Sequence, residues 1–103
     1  MNCSRSDVVL LPIPFTNLSS RKVRPAIVIG RNRSDLFLVP ISSVLLNTDF
    51  PVKEWQRAGL NVPCGVKAQV STVEESLVVK IIGTLASADR LTLDERLRNW
   101  LEL

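Results

Sequence analysis

At 103 residues, 46% of them hydrophobic, the chain is of a size for one domain with its own apolar core. Thirteen basic against ten acidic residues leave a net charge of +3, which suits nucleic acid or an acidic protein partner and equally an ordinary solvated surface. Histidine and tyrosine are absent, the two cysteines (Cys3 and Cys64) form no CxxC pair, and no apolar run reaches the roughly 20 residues of a membrane helix; these exclude a zinc centre and a spanning helix.

Asp7 to Leu11 is an apolar run that predicts a buried first strand, ended by Pro12 and Pro14, which cannot donate to a sheet ladder. The same two prolines interrupt the run too early for a signal peptide, so the expectation is a reduced, cytoplasmic protein. A polar loop from Phe15 to Val23 follows, and Ala26 to Ile29 starts a second strand. Gly30 to Asp35 has turn chemistry and predicts a hairpin tip. Leu36 to Val39 is the third strand, running into Pro40-Ile41-Ser42-Ser43, with Val44 to Leu46 continuing extended. Asn47 to Asp49 reads as a turn and Phe50 to Val52 as a short edge strand.

Glu54 to Ala58 predicts one helical turn stopped by Gly59, and Leu60 to Gly65 is irregular around Pro63. Partial apolar–polar alternation from Val66 to Thr72 predicts a half-buried strand. Glu74 to Ser76 is a turn, and Leu77 to Ile82 is the strongest late strand signal, ended by Gly83-Thr84-Leu85. The C-terminus reads as a helix, with Ser87 as N-cap or Thr92 and Glu95 as a capping box. Leu93, Leu97, Trp100 and Leu101 form its apolar stripe, and Asp94, Arg96 and Asn99 face away. No repeat, low-complexity stretch or linker divides residues 1–103, so one domain is expected. Many short strands and one terminal helix predict a mainly β fold, a small, strongly bent barrel.

Without histidine or tyrosine, proton transfer falls to carboxylates, lysine or cysteine, with arginine acting through charge and hydrogen bonds. There is no Walker-type phosphate loop and no G-x-S-x-G, which sets aside NTPase and α/β-hydrolase readings. Arg21, Lys22 and Arg24 cluster beside hydroxyls in the loop between the first two strands. A guanidinium such as that of Arg24 matches a phosphate bidentately and stays charged; a solvated cation at a strand start is the plain alternative. Ser42 and Ser43 suit either phosphate contact or local backbone satisfaction. Neither is an activated nucleophile, since no histidine lies anywhere in the chain. Trp55 and Phe15 could stack on bases or fill the core.

The run DVVLLPIPFTNLSSRKVRPAIVI at 7–29 resembles the MazF/PemK family, the toxin ribonucleases of bacterial toxin–antitoxin pairs. Its members open with a similar D-V-L-P-x-P-F-T run and a basic Arg-Pro strand. The resemblance continues through VPISS at 39–43 and WQRAGLNVPCGVKAQVSTVEESLVVKIIGTL at 55–85. It implies an SH3-like barrel with short helical turns and a C-terminal helix, a homodimer, a cognate acidic antitoxin, and sequence-specific cleavage of single-stranded RNA. That cleavage would need no metal or other cofactor and would leave 2′,3′-cyclic phosphate and 5′-OH ends. It implies Arg24 and Ser42 as catalytic residues. Thr16, Arg21, Lys22, Ser43, Lys67 and Gln69 are the further groups expected on the RNA, with solvated surface the plain alternative for Thr16, Arg21 and Lys22 and a strand-edge charge that for Lys67. The sequence departs from the family at Lys67-Ala68-Gln69-Val70-Ser71-Thr72, where many members carry an acid before the glutamine and an arginine after it. That leaves the acceptor of the 2′-OH proton unassigned. The alternatives are a non-catalytic nucleic-acid-binding barrel and an inhibitor of a protein target, as in the related CcdB toxins.

Overall fold

The computed structural model describes residues 2–12 and 22–103. Phe15, Thr16 and Arg21, singled out in the sequence, lie outside the described residues. Three strands, β1 (Asp7–Pro12), β2 (Val23–Asn32) and β3 (Asp35–Ser42), form an antiparallel meander. The predicted hairpin tip contracts to Arg33-Ser34, because β2 runs on through Gly30 to Asn32. Arg33 takes a left-handed φ of 58° to make the turn. Arg31 explains the extension. Its guanidinium donates to both oxygens of the Glu75 carboxylate at 3.0 Å, to the Cys3 carbonyl at 2.8 Å and to the Arg33 carbonyl at 2.7 Å. The Cys3 N–H donates to the same carboxylate at 2.8 Å. That bond and the Arg31 guanidinium hold Glu75 below the usual carboxylate pKa.

The later strands are short: β4 (Phe50–Pro51), β5 (Gly65–Val66), β6 (Ser71–Glu74) and β7 (Lys80–Thr84). The pairing path runs β4-β5-β3-β2-β1-β7, with β6 also on β3. The predicted strand from Val66 to Thr72 is broken in two. In the register Ile41↔Val66, Lys67 would come opposite Pro40. Lys67 donates its N–H to the Pro40 carbonyl at 3.0 Å, but proline returns no donor, so the ladder stops. Residues 67–70 then make a corner, closed by Gln69 N–H on the Lys67 carbonyl, before β6 pairs with the first half of β3. Val44 to Leu46 is not extended either. Leu45–Asn47 is a 3₁₀ turn, favoured by the Ser42 and Thr48 hydroxyls bonding to its backbone. A second 3₁₀ turn, Glu75–Leu77, takes the start of the late apolar run, so β7 begins only at Lys80.

Both sheet faces are buried, which is why the strand sequences read as continuous apolar runs rather than alternating ones. Val8, Ile27 and Val39 share a cross-strand row and face one core; Val9, Val28 and Leu38 face the other. The helix α1 (Ser87–Leu101) covers the first core with Leu93, Leu97 and Trp100. Ser87 is its first residue and Ala86 its N-cap without a side-chain bond, while Thr92 donates back to the Ala88 carbonyl; neither predicted cap forms. Leu101 is exposed. Asp94 and Arg96 face away from the apolar stripe as expected, and both make ion pairs there. Asp94 pairs with Arg5, and Arg96 pairs with Asp49 at 3.5 Å and lies 5.7 Å over the Phe50 ring.

Asp89, unremarked in the sequence, is 1% exposed. Its two carboxylate oxygens accept the N–H groups of Lys53 and Glu54, each at 2.9 Å. The helix thereby caps the turn at 54–58, where Ala58 N–H bonds the Glu54 carbonyl, and Gly59 ends that turn at φ +87° as its sequence position suggests.

Candidate functional site

The meander sets the site. β2 and β3 pair as Ala26↔Pro40 and Ile27↔Val39, so extending the register by two residues brings Arg24 opposite Ser42. On the other side Pro25 faces Leu10 of β1, and Leu10 faces Lys80 of β7. The corner at Lys67 is tied to Pro40. Four separate segments thus present Arg24, Ser42, Lys67 and Lys80 to one cavity of about 760 Å³, and Ser43 also lines it.

Its chemistry is one-sided. The lining contains three cations and no carboxylate among the described residues. Arg24 and Lys80 are exposed and Lys67 is half-buried, and no ion pair is made by any of the three among the described residues. A low-lying pocket with unneutralised cations concentrates anions. The Ser42 hydroxyl oxygen accepts the Val44 N–H at 3.0 Å, which fixes its position and leaves its O–H available to donate into the cavity. Proline at 25 and 40 supplies apolar lining with no competing donor.

Of the residues singled out from sequence, Arg24, Ser42, Ser43 and Lys67 meet at this cavity. Lys22 is exposed at the entry to β2, and Gln69 is half-buried at the corner, outside the lining. Trp55 packs against the first core, the filling role rather than the stacking one. Sequence reasoning missed Lys80, Asn61 and Cys64, all of which line the cavity. A signal existed for Lys80, the lone charge in the apolar run 77–82, since a lone cation there must reach a surface. Cys64 is 5% exposed, its thiol donates to the Val62 carbonyl at 3.2 Å, and burial raises its pKa, so it stays a neutral thiol rather than a nucleophile.

Fold and site together define a small antiparallel β protein with a C-terminal helix and a cationic cleft. The chain belongs to the PemK-like, MazF-like toxin family of type II toxin–antitoxin systems, whose family model matches residues 4–101. Among solved structures it is similar to the Mycobacterium tuberculosis toxin MazF-mt6, with a TM-score of 0.73 and 19% identity over 94% of this chain and 97% of that one. It is also similar to an endoribonuclease from a mycobacterial species held in complex with its cognate antitoxin, with a TM-score of 0.68 and 16% identity over 100% and 97% of the two chains. At these identities the likeness is one of fold, and it bears out the mainly β architecture with a C-terminal helix. No curated protein sequence matches the chain. No helix among the described residues is long and apolar enough to cross a membrane.

Proposed function

We propose that the protein is a sequence-specific endoribonuclease toxin that cuts single-stranded RNA, messenger RNA included, at the Arg24–Ser42 cavity without a metal ion. One observation carries the reading: Arg24, Lys67, Lys80 and Ser42, from four segments, line one cavity with no carboxylate among the described residues. The reaction is internal transfer. The 2′-OH attacks the adjacent phosphorus, a P–O bond forms, the P–O bond to the 5′ oxygen breaks, and that oxygen leaves as a 5′-OH. The other product keeps a 2′,3′-cyclic phosphate. Charge builds on the non-bridging oxygens, where the Arg24 fork and the Ser42 O–H lower the barrier by electrostatic stabilisation. Lys22, Lys67 and Ser43 hold the flanking strand in this reading, together with Thr16, Arg21 and Gln69.

The metal-free reading is supported by the donor set: the described residues contain no group of three or more His, Cys, Asp or Glu side chains able to hold an ion. The partner we propose is a cognate acidic antitoxin: acidity suits a cation-lined cleft, and the second solved relative is held with its cognate antitoxin. We also propose a cytoplasmic homodimer. Val44, Leu45 and Leu46, consecutive in the chain, are exposed apolar groups of the kind a second copy would cover; a monomer in sedimentation at micromolar concentration would sink that part.

The lack of a carboxylate among the described residues of the cavity favours one second reading, a non-catalytic RNA-binding member of the family. Incubating pure protein with mixed-sequence RNA in EDTA and sequencing the 5′-OH ends separates the two. Cuts at a recurring motif support the ribonuclease, cuts that appear only with added magnesium refute the metal-free mechanism, and tight binding without cuts supports the second reading.

A further inference from the structure

The cavity is larger than one phosphate needs, and Arg24 and Ser42 occupy only its β2–β3 side. Across β1 lies Lys80, in the row Lys80–Leu10–Pro25. Two strand spacings put its backbone about 10 Å from the strand that carries Arg24, and both long side chains line the same cavity, where they can hold phosphates of one strand. Beside Lys80 the wall is the 59–62 loop, where Leu60 and Val62 with Ile82 offer an apolar surface. Among the described residues Asn61 is the one amide side chain in the lining, with both a donor and an acceptor.

This wall is built rigidly. Gly59 at φ +87° lies so close to β7 that a Cβ there would sit 2.1 Å from the Ile82 carbonyl oxygen. A Cβ on Gly83 would sit 2.4 Å from the Ala58 carbonyl oxygen. Loop and strand are therefore in backbone contact, and the buried Asp89 anchors the turn leading into the loop through Lys53 and Glu54. A cation beside an apolar wall with one hydrogen-bonding group is what a nucleotide of a single strand requires.

We propose that Lys80 and the 59–62 loop form a nucleotide subsite beside the phosphate position of Arg24 and Ser42. Lys80 holds the neighbouring phosphate, the aliphatic wall receives its base, and Asn61 reads the edge of that base. This subsite rests on the ribonuclease reading above and extends it to specificity.

The test is single-turnover cleavage of a short RNA that the wild type cuts, over a series of KCl concentrations, with end sequencing on mixed-sequence RNA. Lys80→Ala is expected to raise the half-saturating protein concentration several-fold and to flatten the log–log salt dependence by about 0.7. Its saturating rate should equal the wild type's, and Lys80→Arg should restore binding. Asn61→Ala should keep the salt dependence and change base preference at one position beside the cut. Thermal melts matching the wild type keep folding out of the comparison, and Lys80→Gln serves if Lys80→Ala melts early. With wild type cutting, an unchanged half-saturation and slope for Lys80→Ala, or an unchanged base preference for Asn61→Ala, overturns the subsite alone. A wild type that never cuts overturns the ribonuclease reading beneath it.

Discussion

Arg24 is where charge stabilisation can be separated from folding. Its side chain is exposed and makes no ion pair with a described residue, so truncation should change stability by no more than about 0.5 kcal/mol, as for surface positions generally. Its part in the reaction is different in kind. If the guanidinium meets charge that develops only as the 2′-OH attacks, removing it acts on the transition state more than on bound RNA. Losing one such donor costs about 2.7–4 kcal/mol, or roughly a hundred- to thousand-fold in rate. Arg24→Ala should therefore keep the wild-type melting temperature, lose modestly in RNA affinity and lose that factor in single-turnover rate. Arg24→Lys should recover only part, because an ammonium cannot offer the planar two-donor fork. Ser42→Ala should cost less rate, since it removes one neutral donor, though it also strips the acceptor from the Val44 N–H. A folded Arg24→Ala protein that cuts at the wild-type rate would refute the assignment. Equal losses in binding and apparent activity, with no change in saturated rate, would move the residue to a purely binding role.

Asp89→Ala should destabilise by about 2–4 kcal/mol in denaturant titration, because it leaves the Lys53 and Glu54 N–H groups without their acceptor; Asp89→Asn should lose less. Gly59→Ala should cost upwards of about 2 kcal/mol, combining left-handed strain with a backbone collision at Ile82. At Gly65 a Cβ would sit 2.3 to 2.9 Å from Oγ1, Cβ and Cγ2 of Thr48, whose hydroxyl is held by the Leu45 carbonyl, so Gly65→Ala should also destabilise in the same titration. Glu75 has a lowered native pKa, so the folded state holds its proton less tightly than the unfolded state. Its stabilisation is present above the ordinary carboxylate range and is lost as pH falls through the lowered value. The stability gap between wild type and Glu75→Gln should thus close on acidification, and a gap constant with pH would contradict the pairing with Arg31 and Cys3.

Much of this was legible along the chain. The apolar runs of β1, β2 and β3, the Gly59 stop and the terminal helix follow from local composition, and Arg24, Ser42, Ser43 and Lys67, singled out in the sequence, line one cavity. The misreadings share a cause. Val66 to Thr72 has a strand's pattern, yet its ladder ends where Lys67 meets Pro40, a partner more than twenty residues away in sequence. Val44 to Leu46 is apolar enough for a strand, but the Ser42 and Thr48 hydroxyls bend it. Ser87 has a cap's chemistry and is instead the first helical residue.

Local residues by themselves determined the mainly β character, the absence of histidine chemistry and the family, because propensity, turn chemistry and motif are properties of adjacent positions. The meeting of Arg24 with Ser42, and of both with Lys67 and Lys80, was decided by cross-strand register and by one proline that cannot donate. So was the worth of Asp89, which as a helix residue is an ordinary acid. Only the packing of α1 on the 53–59 turn makes it a buried anchor, since a carboxylate is held in the core when distant N–H groups are brought to meet it.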